Sequence, residues 1–298
     1  MSKLKDEFLR RANQVLQQVE QILPKRSEPV DWNTVFAASW QRKGNSSFFR
    51  TIELGADIQL SDLLGVDTQR KQLLRNTQQF MRGYPANHAL LWGARGTGKS
   101  SLVRALLSAY AEQGLRLIEV ERNELADLPM IVESLVGLPQ RFIVFCDDLS
   151  FDAGEGDYRI LKSVLDGSLE RAPDNVLLYA TSNRRHLLPE HHSDNENWQR
   201  GAGGELHPNE AVEDKIALSD RFGLWLSFYP FSQEHYLDVV RHWIEHYAQP
   251  LKLQWQFSDE LAKAAISWAQ ARGNRNGRCA AQFAKQWVGL QLLTQQEQ

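Results

Sequence analysis

The chain has 298 residues, enough for one large domain or two modest ones, and 42% of them are apolar, which suffices for a core. Its 34 basic and 37 acidic side chains nearly cancel to −3, which excludes a protein that coats nucleic acid or is drawn to membranes by overall charge and leaves only a local basic face open. Two cysteines, Cys146 and Cys279, support neither a disulfide framework nor a zinc site, and no segment approaches the ~20 unbroken apolar residues of a membrane span, so a cytoplasmic protein is expected.

Residues 2–23 carry Leu4, Phe8, Val15, Val19 and Ile22 at helical intervals and stop before Pro24. This predicts a helix that packs on the body or docks a partner or neighbouring subunit. A linker over 25–29 is followed by residues 32–40, read as a second short helix, and by residues 48–54, read as a strand or extended arm. Residues 1–59 thus form an N-terminal helical extension with a strand-like arm. Residues 60–83 read as one long helix-like segment. From there, β-rich runs at 115–120, 142–146, 176–181 and 224–229 alternate with helix-period stretches at 123–136 and 158–171. Such alternation predicts a parallel sheet covered by helices on both faces, with the chemistry-bearing loops along one sheet edge. Residues 191–214 hold three glycines, His191, His192, His207 and few apolar residues, and read as a mobile surface loop without a metal site. Helical periods at 234–247, 258–271 and 278–293 predict a small helical lid over 232–298, beside a nucleotide-binding α/β domain over 60–231.

Chemistry is concentrated behind the apolar run Ala89-Leu90-Leu91-Trp92, where Gly93-Ala94-Arg95-Gly96-Thr97-Gly98-Lys99-Ser100 matches the phosphate-loop pattern G-x-x-x-x-G-K-[ST] in full. The glycines let consecutive amides turn around an anion at a helix N-terminus, Lys99 reaches the outer phosphates, and the Ser100 hydroxyl is placed for Mg²⁺. Ser101, in the first turn of the helix that starts near Lys99, is counted with the nucleotide-binding residues. Residues 142–146 end in Asp147 and Asp148: the first suits the metal and its water shell, the second the attacking water. Asn183 ends the next strand with an amide able to stand between a γ-phosphate and that water. Arg221, before the last strand, is either a finger reaching a neighbouring subunit's nucleotide or the partner of Asp220 on a surface turn. In Gly273-Asn274-Arg275-Asn276-Gly277-Arg278, Arg278 is favoured over Arg275 as a lid arginine that contacts nucleotide.

This ordered set resembles an AAA+ ATPase module, with a phosphate loop, a Walker B pair at Asp147 and Asp148, a sensor at Asn183, an arginine finger at Arg221 and a second sensor at Arg278. Leu64-Gly65-Val66 resembles the family's adenine-holding box. The resemblance covers about residues 60–290 and implies a five-stranded parallel sheet, ATP and Mg²⁺ as ligands, hydrolysis to ADP and phosphate, homo-oligomer formation through Arg221, and work on an unidentified protein partner. More narrowly, residues 86–102, 145–151 and 218–224 resemble a bacterial family of predicted ATPases recorded as a domain of unknown function. One departure stands out: most AAA+ members have Glu where this chain has Asp148, and a carboxylate one methylene shorter points to slow turnover. A nucleotide-gated binding module with negligible turnover is therefore an alternative. A DNA loader, suggested by the paired aspartates and by Arg272, Arg275 and Arg278, is possible but not indicated by the overall charge, and a small-molecule kinase leaves the sensors and lid unexplained.

Overall fold

The computed structural model describes residues 29–44, 46–53, 58–151, 157–166, 173–184, 199–200, 206–207, 218 and 220–296. The helix expected over 2–23 lies outside them, as does most of 191–214.

Nine strands and seven α-helices follow one another among the described residues. The hairpin β1 (Ala37–Lys43) and β2 (Ser46–Thr51) leads to α1 (Asp67–Met81), β3 (Ala89–Gly93), α2 (Lys99–Tyr110), β4 (Leu115–Val120), α3 (Leu128–Leu135), β5 (Arg141–Cys146), α4 (Asp157–Asp166) and β6 (Val176–Ser182). Then come the short β7 (Gln199–Arg200) and β8 (Leu206–His207), β9 (Leu224–Phe228), and the lid helices α5 (Gln233–Ala248), α6 (Asp259–Ala271) and α7 (Gly277–Gln296). The main sheet runs β2-β1-β4-β5-β6-β3-β9, and all its neighbours pair parallel except β1 with β2. The five expected parallel strands are present, and two more lengthen the sheet to seven, so the sheet is mixed rather than purely parallel.

The helix expected over 32–40 is a correction. Trp32, Val35, Phe36 and Trp40 mimic a helical stripe, yet the Asp31 carboxylate accepts from the Asn33 amide (3.1 Å) and sets a tight turn instead. The chain then enters β1, whose first four residues are buried. Trp32 and Trp40 both meet the Phe49 ring of β2 edge-on, at 5.4 and 4.7 Å between centroids, so the aromatic spacing served a hairpin core. The segment 60–83 is likewise not one helix. A 3₁₀ turn at Leu60–Asp62 is separated from α1 by Gly65, whose backbone is left-handed (φ +74°). Residues 191–214, expected as a loop, contain the ribbon in which β7 pairs antiparallel with β8.

Buried strands read as continuous apolar runs because their two faces feed different cores. Leu90, Val144 and Ala180 face one core with Trp40 and Phe142; Leu91, Ile143, Phe145 and Tyr179 face the other with Leu102 and Leu106 of α2. A third core, built on Tyr236, Val240, Ile244, Ala265 and Phe283, belongs to the lid. Its first two helices are capped by Ser232 and Ser258, whose hydroxyls accept from the amides of His235 and Leu261 at 3.2 Å.

Entry into β3, and so the position of the phosphate loop, is fixed by buried polar groups. Asn76 of α1 clamps the Asn87 backbone in both directions, at 2.8 and 3.0 Å, and also donates to the Tyr179 hydroxyl at 3.0 Å. Burial pushes that phenol up to about 12. His88 accepts from the Leu178 amide through Nδ1 at 2.9 Å, and burial pushes its ring down to about 4, so it serves as a neutral acceptor.

Candidate functional site

At the carboxyl edge of the sheet, residues 93–98 turn from β3 into α2. The turn needs its glycines. Gly96 and Gly98 have φ of +75° and +101°, and a Cβ on Gly93 would lie 2.0 Å from the Phe228 carbonyl oxygen, where β9 also receives the Ala94 amide (3.0 Å). Lys99, only 6% exposed, is drawn back along the turn, donating to the carbonyls of Gly93 and Ala94 (both 2.8 Å) and to the Asn183 side-chain oxygen (3.2 Å). Burial lowers its ammonium to about 8 despite the opposing pull of Asp148 and Asp147. Thr97, also buried, closes the turn by donating to the Ala94 carbonyl at 2.8 Å.

Ser100 donates to Asp147 Oδ1 at 2.5 Å, and the same oxygen accepts from Thr181 at 2.6 Å. Asp148 leaves β5 in a left-handed conformation (φ +51°), which aspartate tolerates better than branched residues do. Its amide donates to the Thr181 hydroxyl at 2.9 Å, its carboxylate accepts from the Asn183 amide, and Arg95 stands 3.9 Å away. Lys99, Ser100, Asp147, Asp148 and Asn183, drawn from three elements, are thus brought within direct reach of one another.

Three contributors escaped the sequence reading. Thr181 ties the two aspartates together. Arg104 bridges Glu119 (2.5 Å) and Asp147 (3.5 Å) from α2, and its spacing of four from Ser100 was the available signal. Asn276 donates to the Arg95 carbonyl (2.9 Å), and its place just before Gly277 marks it as a helix cap.

Between turn and lid lies a cleft of about 560 Å³. Gly96, Thr97, Gly98, Ser100, Ser101 and Asp147 form its polar end. Leu64 and Val66 line its apolar part with Phe231, Trp243 and Tyr247, whereas Gly65 packs beside the His235 ring. Arg278 lines the cleft and Arg275 does not; the Arg275 carbonyl instead receives the Phe231 amide at 3.1 Å. Asp62 meets His242 of α5 at 3.1 Å, a second tie between lid and base. Arg221 is not brought to this cleft. It precedes β9, so it lies at the opposite edge of the sheet, about 16 Å away along a five-residue strand.

The donor set suits a magnesium-bound nucleotide. Left-handed glycines bare the loop amides toward an anion, and a hydroxyl paired with a carboxylate is the hard-oxygen pair that Mg²⁺ prefers. No helix of the described residues is long and apolar enough to cross a membrane.

Residues 33–291 match the family described as "Protein of unknown function (DUF815)". Replication factor C large subunit from Staphylothermus marinus is 25% identical over 114 residues, a stretch covering 36% of this chain and 26% of that protein. Among solved structures, a RuvB variant from Thermotoga maritima superposes with a TM-score of 0.52 at 16% identity, over 80% of this chain and 67% of the other. Domain III of the Thermotoga maritima replication initiation protein DnaA superposes with a TM-score of 0.50 at 13% identity, over 83% of this chain and 92% of the other. At these identities the likeness concerns the fold, and the sheet order β9-β3-β6-β5-β4 with a helical lid is the AAA+ arrangement.

Proposed function

The chain belongs to the DUF815 family and has the AAA+ fold, and on that premise we propose that it binds ATP with Mg²⁺ and hydrolyses it to ADP and phosphate at a boundary between subunits. The observation that carries the reading is the nearly buried Lys99, held between the phosphate-loop carbonyls and Asn183 and lining the same cleft as the Ser100–Asp147 pair. When bound, a magnesium nucleotide supplies a phosphoanhydride and a metal charge that offsets the negative charge of its transfer.

The chain's own residues do the rest. Lys99 neutralises phosphate charge from a nearly buried position, where the attraction is least screened. Ser100 and Asp147 hold the metal, and Thr181 keeps Asp147 from rotating away. Asp148 takes the proton of the attacking water while Asn183 orients that water. Arg278 reaches in from the lid. Arg221, at the far edge of its own sheet, serves a neighbouring copy, which makes the homo-oligomer part of the catalytic unit. The released energy moves the lid or subunits against a protein partner.

Calorimetry with Mg²⁺ and steady-state phosphate release test this together. Lys99→Ala is expected to abolish binding. Arg221→Ala is expected to keep binding and stop turnover, and mixing it with Asp148→Asn protein should restore part of the rate, because each copy supplies what its neighbour lacks. Absence of binding heat from the unaltered protein refutes the proposal, and an Arg221→Ala protein of normal rate refutes the shared site.

One observation favours a second reading, a nucleotide-gated binding module. The short Asp148 carboxylate is engaged by Asn183, which leaves less reach toward water. Single-turnover measurement separates the two, since the module keeps ATP uncleaved for hours. DNA enters as a test of the partner because two of the similar proteins carry replication in their names. A gel shift that is absent or insensitive to salt removes it.

A further inference from the structure

The outer surface of the phosphate loop is in contact with the lid directly. The Asn276 amide nitrogen donates to the Arg95 carbonyl at 2.9 Å, and the Arg278 backbone N–H donates to the Gly96 carbonyl at 3.2 Å. Asn276 Oδ1 also accepts from the Cys279 amide at 2.8 Å, so one side chain both caps α7 and holds the loop. The fit is close. A Cβ on Gly96 would stand 2.7–2.9 Å from three atoms of the Asn276 side chain, and one on Gly277 would stand 3.3 Å from the Gly96 carbonyl oxygen. Two consecutive loop carbonyls, those of Arg95 and Gly96, therefore point at the lid.

We infer that Asn276 is a positioning residue that couples the phosphate loop to the lid without passing through the nucleotide, and so holds the Arg278 side chain over the phosphates. The inference rests on the nucleotide reading given above and specifies how that site is regulated. A loop that tightens on phosphate tilts the Arg95 and Gly96 carbonyls, and α7 follows because its first turn is bonded to both. Arg278, two residues on, is then placed by the loop's own conformation. A lid arginine tethered only through its contact with phosphate would act independently of Asn276.

Asn276→Ser separates the two jobs of the side chain. Serine is as good a helix cap as asparagine but too short to reach the Arg95 carbonyl. If the coupling exists, Asn276→Ser lowers the single-turnover rate about tenfold while the Kd for Mg-ATP stays within about threefold, a split matching the loss of one hydrogen bond in the transition state. Hydrogen exchange at residues 277–281 provides a second readout. ATP slows it in the unaltered protein and leaves it unchanged in Asn276→Ser. Arg278→Ala should then reduce the rate without removing this ATP-induced protection. Equal rates and equal protection in Asn276→Ser and the unaltered protein overturn the inference. Failure of the underlying reading is distinguishable, because the unaltered protein then gives no ATP-binding heat. In that case unchanged exchange at 277–281 in Asn276→Ser, measured without nucleotide, still overturns the latch.

Discussion

Lys99 is a stability liability whose size the structure sets. Its ammonium is lowered from 10.5 to about 8 because burial opposes the charge more than Asp148 and Asp147 favour it. Keeping it charged at neutral pH costs the fold about 3 kcal/mol. In the unfolded chain the lysine holds its proton up to its ordinary value, so between those two limits the unfolded state binds more protons and stability rises with pH. The penalty is full below about 8 and gone above 10.5. Lys99→Met removes the charge while roughly keeping the length of the side chain. It also leaves the Gly93 and Ala94 carbonyls and the Asn183 side-chain oxygen without their donor, a loss of about 1 kcal/mol each. The two effects nearly cancel, so the variant should match the unaltered chain to within about 1 kcal/mol near neutrality while losing nucleotide binding. Urea unfolding of both proteins, without nucleotide, from about pH 7.5 to about pH 9.5 should show the unaltered chain gaining about 2 kcal/mol on the variant. Titrations common to both proteins cancel in this difference. A gap that stays constant over the range refutes the assignment of a buried, depressed charge at Lys99.

Two further outcomes follow from the same geometry. Thr181→Val removes the hydroxyl that serves both aspartates, and should slow hydrolysis about tenfold and raise the Mg²⁺ needed for half-maximal rate, with melting of the nucleotide-free protein measured as a control. Gly93→Ala places a methyl group 2.0 Å from the Phe228 carbonyl oxygen, so β3 and β9 must separate; a loss of about 3 kcal/mol or more by denaturant unfolding is expected, and a variant of unchanged stability contradicts the close approach.

The phosphate loop and the aspartates that follow β5 were legible because each pairs a local backbone requirement with an apolar strand that has nowhere to go but the core. The lid helices were legible from their helical period. Residues 32–40 were misread because aromatic residues at intervals of three and four also suit a hairpin that presents them to Phe49. Nothing local announces that Ala37 pairs with Leu117, a parallel strand contact 80 residues along the chain. Thr181 was invisible for a related reason: its value comes from the Asp147 carboxylate and the Asp148 backbone amide just past the end of the neighbouring strand β5, and in its own segment it is an ordinary strand residue. Asn276 looked like one more polar residue in a turn, and its bond to Arg95 spans 181 positions.

The distance between Ala37 and Leu117 also orders events during synthesis. The β1–β2 hairpin emerges from the ribosome long before β4, the strand it must lie beside, and closing so long a loop is slow compared with forming the hairpin itself. Until then Trp40 and Phe49 have each other but not the sheet, and the nascent chain carries an aromatic surface that later becomes interior. A fragment ending before residue 115 keeps that surface permanently uncovered, so truncated forms of this chain are poor material for expression, whereas trimming from the other end spares the hairpin's partner strand.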